Sequence, residues 1–125
     1  MRILIVDDVK NIRVSLTQIL KDENHQVWDC EDGESALAFL QKQSVDLIFL
    51  DVKLPGMSGL DVLDDVRENY PETDVIVISG HGGIKTAVTA VKNGAFDYME
   101  KPLSLPKISI AVRNIEAKRR MENKV

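Results

Sequence analysis

The chain has 125 residues, a net charge of −4, and 44% hydrophobic against 29% charged residues; this fits one domain with a single core and excludes a collagen-like, disulfide-stapled or disordered chain. The acidic balance argues against nonspecific nucleic-acid binding by this segment, because that mode needs a concentrated basic face to displace counterions. The single cysteine, Cys30, excludes an internal disulfide and a paired-cysteine metal or redox site, and no apolar stretch is long enough to span a bilayer. Cys30 reads as a small buried hydrophobe. The N-terminus enters a strand with no signal-peptide layout, so the expected location is cytoplasmic and no membrane partner is expected.

Ile3-Leu4-Ile5-Val6 is an apolar run of strand length that ends on two acids, Asp7 and Asp8. Val9, Ile12, Leu16, Ile19 and Leu20 recur at helical spacing and predict an amphipathic helix running to about Glu23. Val27-Trp28-Asp29-Cys30 is a weaker, partly alternating strand, as found nearer a sheet edge. Gly33 opens a second helix with Ala36, Leu37 and Leu40 on its apolar face. The four consecutive apolar residues Leu47-Ile48-Phe49-Leu50 then predict a strand buried on both faces, the mark of a parallel sheet covered by helices. That strand delivers Asp51 where it ends. Leu54-Pro55-Gly56 turns the chain away, since proline presets φ and glycine accepts a positive one.

Ser58 caps a third helix that faces the core with Leu60, Leu63 and Val66 and ends near Tyr70-Pro71. Val75-Ile76-Val77-Ile78 is another buried strand, and it delivers Ser79 to the same edge. Ile84, Ala87, Val88 and Val91 mark a fourth helix by their spacing, and Asn93-Gly94 stops it. Residues 96–100 form a last short strand ending at Lys101-Pro102. Ser104 caps a fifth helix with Leu105, Ile108, Val112 and Ile115 on one side and Pro106 tolerated in the first turn. The tail over 116–125 is mostly charged and reads as a solvated helix end. Five alternations of strand and helix predict a doubly wound, flavodoxin-like α/β fold with a five-stranded parallel sheet and five helices.

In such a sheet, ligands bind in the crevice outside the carboxyl ends of the strands. Asp7, Asp8 and Asp51 are predicted to converge there, with Ser79 and Lys101 arriving from two further strands. Like charges about 4 Å apart repel by roughly 4 kcal/mol at an effective dielectric near 20, so a cation must sit among the acids. Mg²⁺ suits them: it takes one or two carboxylates, a carbonyl and waters, and leaves room for a phosphate oxygen. Lys101 can hold a second phosphate oxygen and the Ser79 hydroxyl can donate to a third. These are the parts of a phosphoryl-transfer site. Each residue alone has a plainer explanation: Asp8 as a helix cap, Ser79 as a turn serine, Lys101 as a surface lysine. Their joint arrival at one sheet edge favours the site. Spacing identifies no partner acid or nucleophile for His25 or His81.

Ile3-Leu4-Ile5-Val6-Asp7-Asp8, Asp51-Val52-Lys53-Leu54-Pro55-Gly56-Met57-Ser58-Gly59, Ser79-Gly80-His81 and Tyr98-Met99-Glu100-Lys101-Pro102 together resemble the receiver domain of two-component response regulators over essentially the whole chain. The resemblance implies that Asp51 is the phosphoacceptor, taking its phosphoryl group from the phosphohistidine of a sensor histidine kinase. It implies that Asp8, Asp51 and the backbone carbonyl of Lys53 ligate Mg²⁺, that Asp7 holds a metal-bound water, and that Lys101 clamps the phosphoryl group. It further implies a cis Lys101-Pro102 peptide. Phosphorylation would draw Ser79 toward the new oxygens and leave space for the Tyr98 ring. That biases the face made by the fourth helix, last strand and fifth helix, which in this family carries self-association or partner contacts.

On this resemblance the chain is no metabolic enzyme; it catalyses only its own phosphorylation and dephosphorylation. Ser79-Gly80-His81-Gly82 and Gly94-Ala95-Phe96-Asp97-Tyr98-Met99-Glu100-Lys101-Pro102 are similar to receivers of the nitrogen-regulation type, which precede a sigma-54 activator ATPase and a DNA-binding domain. The implied output is transcription, with residues 1–115 as the receiver and 116–125 as the helix end and the start of a linker to an output domain that this chain does not contain. Ser79 departs from the threonine of many relatives, keeping the hydroxyl and losing a methyl. Lys53 and His81 hold positions that tune the lifetime of the phosphoryl group.

A competing reading is a haloacid-dehalogenase-like phosphatase, which also uses an aspartate nucleophile and Mg²⁺. It places its acids as Asp-x-Asp after the first strand, whereas here they are adjacent and Asp51 lies elsewhere. A flavodoxin-like mononucleotide binder shares the architecture, but an acidic first loop repels phosphate. In Gly82-Gly83-Ile84-Lys85-Thr86, Ile84 separates glycine from lysine and the spacing of a nucleotide loop fails.

Overall fold

The computed structural model describes residues 1–80 and 83–122. Strands β1 (Arg2–Val6), β2 (Gln26–Cys30), β3 (Leu47–Asp51), β4 (Asp74–Ser79) and β5 (Asp97–Glu100) alternate with helices α1 (Lys10–Asp22), α2 (Gly33–Leu40), α3 (Gly59–Asn69), α4 (Gly83–Lys92) and α5 (Leu105–Glu122). All neighbouring strands are parallel, in the order β2-β1-β3-β4-β5. The two central apolar runs, β3 and β4, are buried along their whole length, while β2 at one edge is only partly covered. No helix among the described residues is long and apolar enough to cross a membrane.

Side chains of a strand alternate between faces, so each buried strand feeds two cores. Ile3, Ile5, Leu47, Phe49, Ile76 and Ile78 pack with Leu16 and Leu20 of α1 and Ile108, Val112 and Ile115 of α5. Leu4, Val6, Ile48, Leu50, Val75 and Val77 face the opposite way, onto Ala36 and Leu40 of α2, Val62, Leu63 and Val66 of α3, and Ala90 of α4. Truncating one of the large buried side chains, such as Phe49, costs about 3–5 kcal/mol in cores of this kind. The doubly wound fold with five strands and five helices is thus as the alternation predicts.

Several local expectations differ. The N-cap of α1 is Val9, without a side-chain cap, so Asp8 does not cap that helix. Val9 itself is largely exposed. In α3 Leu60 packs against the core at its edge as expected, and Val62 joins Leu63 and Val66 as a fully buried position. Ser58 does cap α3, accepting from the Asp61 amide at 3.2 Å, and Ser104 caps α5 through the Lys107 amide at 3.4 Å. In α5 the apolar Leu105 faces solvent.

Helix α4 departs furthest. Ile84, Val88 and Val91 are 84%, 58% and 52% exposed, and only Ala90 of the helix is buried. The larger apolar residues form a stripe on the outer side, and the small one meets the sheet. The end of α5 also differs from a solvated tail. Lys118 Nζ lies 2.6 Å from Oδ1 of the buried Asp74, and Arg119 donates to the carbonyls of Asp46 and Glu72 at 2.6 Å each. The helix runs on through Glu122 with no break at residue 115.

Candidate functional site

The parallel register brings the strand ends to one level. Leu50 pairs with Val6 and with Val77, so Asp7 and Asp51 emerge side by side, one residue past the last β1–β3 pair. Ser79 pairs with Glu100, and the Lys101 amide donates to the Ser79 carbonyl at 2.9 Å, which carries the β4–β5 ladder one step beyond the strand. The Lys101-Pro102 peptide is cis.

Asp7, Asp8 and Asp51 each place a carboxylate oxygen within 4.8 Å of the others. Asp7 is fully buried and Asp51 is 4% exposed, while Asp8 is exposed. Lys101 Nζ lies 3.0 Å from Oδ2 of both Asp7 and Asp51. The contact to Asp51 is a hydrogen bond. The contact to Asp7 is an ion pair of the same length, so the one ammonium is shared between two carboxylate oxygens. The other oxygens of the pair are committed locally: Asp7 Oδ1 accepts from the Val9 amide at 2.8 Å and Asp51 Oδ1 from the Lys53 amide at 3.2 Å.

Burial, reinforced by the charge of Asp7, pushes the Asp51 carboxyl above its usual range against the opposing hydrogen bond from Lys101. Burial alone would lower Lys101; its contacts with Asp7 and Asp51 outweigh that and hold its ammonium charged. A single ammonium thus serves two buried carboxylates, and Asp8 accepts no protein hydrogen bond among the described residues.

This arrangement fits a small, hard divalent cation. The donors are all oxygens, they converge on one point, and the two buried carboxylates among them share one ammonium. A cation there would offset the repulsion that Lys101 only partly relieves.

The expected site residues Asp7, Asp8, Asp51 and Lys101 are therefore brought together. Ser79 is buried at the end of β4, on the strand next to Asp51. Tyr98 is half-buried against the core that faces α3 and α4, and its hydroxyl is enclosed without a partner. The Lys53 amide already touches Asp51. His81 lies outside the described residues, and His25 lies away from the site with Nδ1 2.9 Å from the Met1 amino group.

Arg13 and Glu34 shape the site and carry no signal in sequence pattern, and Gly59, although part of the motif after Asp51, shows its packing role only in the structure. Arg13 donates from Nη1 to the Asp7 carbonyl at 2.8 Å. Glu34 accepts from the Met57 amide at 3.3 Å and so ties the loop after Asp51 to α2. Gly59 lets the first turn of α3 approach the Asp51 carbonyl. In each case one partner is a backbone group distant along the chain, which no local periodicity reveals.

The response regulator receiver domain family matches residues 3–113. The nitrogen assimilation regulatory protein NtrX of Azorhizobium caulinodans is 42% identical over 110 residues, covering 86% of this chain and 24% of its own length. The chain thus spans about a quarter of the length of that curated relative. Among solved structures, the signal receiver domain of a putative LuxO repressor protein from Vibrio parahaemolyticus superposes with a TM-score of 0.92 at 34% identity, over 98% of this chain and 94% of that one. The beryllofluoride-activated NtrC4 receiver domain, solved as a dimer, gives a TM-score of 0.87 at 35% identity, over 91% and 94%.

Proposed function

The chain belongs to the response regulator receiver domain family, and we propose that it is a phosphoryl-accepting switch with Asp51 as the acceptor, charged by a sensor histidine kinase and controlling transcription through an output domain. The observation that carries this reading is Asp51 itself: a nearly buried carboxylate at the end of β3, within reach of two further acids and hydrogen-bonded by Lys101 at 3.0 Å.

Asp51 Oδ2 attacks the phosphorus of a phosphohistidine; the new P–O bond forms as the P–N bond breaks, and the imidazole nitrogen keeps the electron pair. Asp8, Asp51 and the Lys53 carbonyl would hold Mg²⁺, with Asp7 beside them, and the ion would supply positive charge for the phosphoryl oxygens. Lys101 moves its hydrogen bond from Asp51 Oδ2 to a phosphoryl oxygen and keeps Asp7 as its counter-ion, so its charge stays paired throughout. The Ser79 hydroxyl turns to the same group, because an aspartyl phosphate offers acceptors that a carboxylate does not. Tyr98, whose enclosed hydroxyl has no partner to lose, is free to repack behind Ser79.

The readout surface is the α4–β5–α5 face, where Ile84, Val88 and Val91 stand exposed, and a second phosphorylated copy is the partner that covers it. The dimeric state of the NtrC4 receiver supports that choice. Residues 116–125 then lead from the receiver toward the output.

The test is acetyl phosphate with Mg²⁺ followed by intact-mass measurement. One added phosphoryl group is expected on the wild-type chain and none on Asp51→Asn. Equal labelling of the variant refutes the assignment, and sustained turnover without labelling would favour a phosphatase instead.

A further inference from the structure

Arg13 stands on α1, outside the cluster of acids, yet its side chain is only 14% exposed. Its Nη1 donates to the Asp7 carbonyl at 2.8 Å and its Nε to Asp29 Oδ2 at 3.0 Å. Asp29 lies on β2 opposite Ile5, and the Asp7 amide donates to the neighbouring Cys30 carbonyl at 3.1 Å. The peptide groups on both sides of Asp7 are therefore fastened to β2, one directly and one through the guanidinium. As a surface ion pair Arg13–Asp29 contributes little, because its carboxylate is half-exposed. The bridge makes sense as a strut.

The turn it braces has reason to move. Asp7 and Asp8 are pushed toward a third carboxylate within 4.8 Å, and Val9, the N-cap of α1, gives no side-chain cap, so the local tie in the turn is the Val9 amide on Asp7 Oδ1. An unbraced turn would relieve the repulsion by swinging Asp8 outward. We propose that Arg13 is a positioning residue: by tying the Asp7 carbonyl to Asp29 it holds the β1–α1 turn so that Asp7 and Asp8 face Asp51 before any cation arrives. This rests on reading the three acids as a divalent-cation site. Pre-organisation of this kind raises affinity by removing the cost of gathering the ligands at binding.

The test is Mg²⁺ titration by calorimetry on the wild-type chain and on Arg13→Gln, Arg13→Lys and Asp29→Asn, with amide exchange of the metal-free proteins. Arg13→Gln and Arg13→Lys are each expected to weaken Mg²⁺ about tenfold, in the range for removing a residue that orients ligands. Lysine restores the charge without the two-armed bridge, so it should not rescue. Asp29→Asn, which loosens one anchor, should fall between. Exchange at the Asp7 and Val9 amides is expected to quicken while β3 and β4 stay protected, a local change that general destabilisation would not produce.

Wild-type affinity in both Arg13 variants overturns the proposal and leaves the cation site standing, as does full rescue by lysine, which would assign Arg13 a charge effect alone. If Arg13→Gln does not fold, Arg13→Lys and Asp29→Asn decide it, and wild-type affinity in both overturns the strut. A wild-type chain that neither binds Mg²⁺ nor takes a phosphoryl group overturns the underlying reading instead.

Discussion

A Cβ placed on Gly59 would stand 1.9 Å from the backbone carbonyl oxygen of Asp51. The first turn of α3 thus packs on the very peptide that carries the Asp51 carboxylate, and the Gly59 amide donates to the Val52 carbonyl at 2.8 Å to lock that approach. Any side chain at this position must push backbone apart. Gly59→Ala is expected to cost about 3 kcal/mol, at the upper end for overpacking because the clash is with main chain. Gly80→Ala, where a Cβ would meet nothing within 4 Å, should stay within about 0.5 kcal/mol of wild type. Urea denaturation of the two variants measures the contrast.

Asp51 makes metal-free stability depend on pH. Its folded-state carboxyl is held above the ordinary 3.8 by burial and by Asp7. The native state therefore binds more protons than the unfolded chain between those two values, and stability falls as pH rises through that window. Above the folded value the penalty is present in full. Asp51→Asn is expected to melt higher than wild type in EDTA at pH 7, and the gap should close as pH drops below 4. Thermal melts across pH check both.

Lys101 has the opposite sign. Its folded pKa is raised above 10.5 by Asp7 and Asp51 against the burial that would lower it. Its stabilisation is present below 10.5 and is lost as pH rises through the folded value. Lys101→Met is expected to melt lower than wild type at pH 7, because two buried carboxylates lose their one cation. Labelling by acetyl phosphate should slow about a hundredfold, the usual cost of deleting one positioned charge donor. Single-turnover labelling at saturating Mg²⁺ is the measurement.

The outward stripe of α4 gives a test of the readout face. Ile84→Ser with Val88→Ser alters residues that are 84% and 58% exposed, so folding stability should change by less than about 0.5 kcal/mol per site. The wild-type chain with beryllofluoride and Mg²⁺ is expected to sediment as a dimer and the double variant as a monomer. A dimer of unchanged strength in the variant would move the interface elsewhere.

The sequence by itself determined the elements and the place of Asp51 at a strand end. Unbroken apolar runs at Leu47-Ile48-Phe49-Leu50 and Val75-Ile76-Val77-Ile78 can only be strands covered on both faces, and a parallel sheet presents all their C-terminal residues at one edge. Asp7, Asp51 and Ser79 were legible for that reason, since each directly follows or ends such a run, while Asp8 adjoins Asp7 and Lys101 follows the shorter, partly exposed β5 just before Pro102. What only the tertiary structure decided are the contacts between a side chain and a distant backbone group or helix. Arg13 on the Asp7 carbonyl, Gly59 under Asp51, and Arg119 on the carbonyls of Asp46 and Glu72 depend on how helices sit on the sheet. Helical spacing shows that α4 has an apolar stripe, but not which way it faces. Here the small Ala90 took the inward place and left Ile84, Val88 and Val91 outside, an orientation set by how the helix packs on the sheet and not by its own spacing.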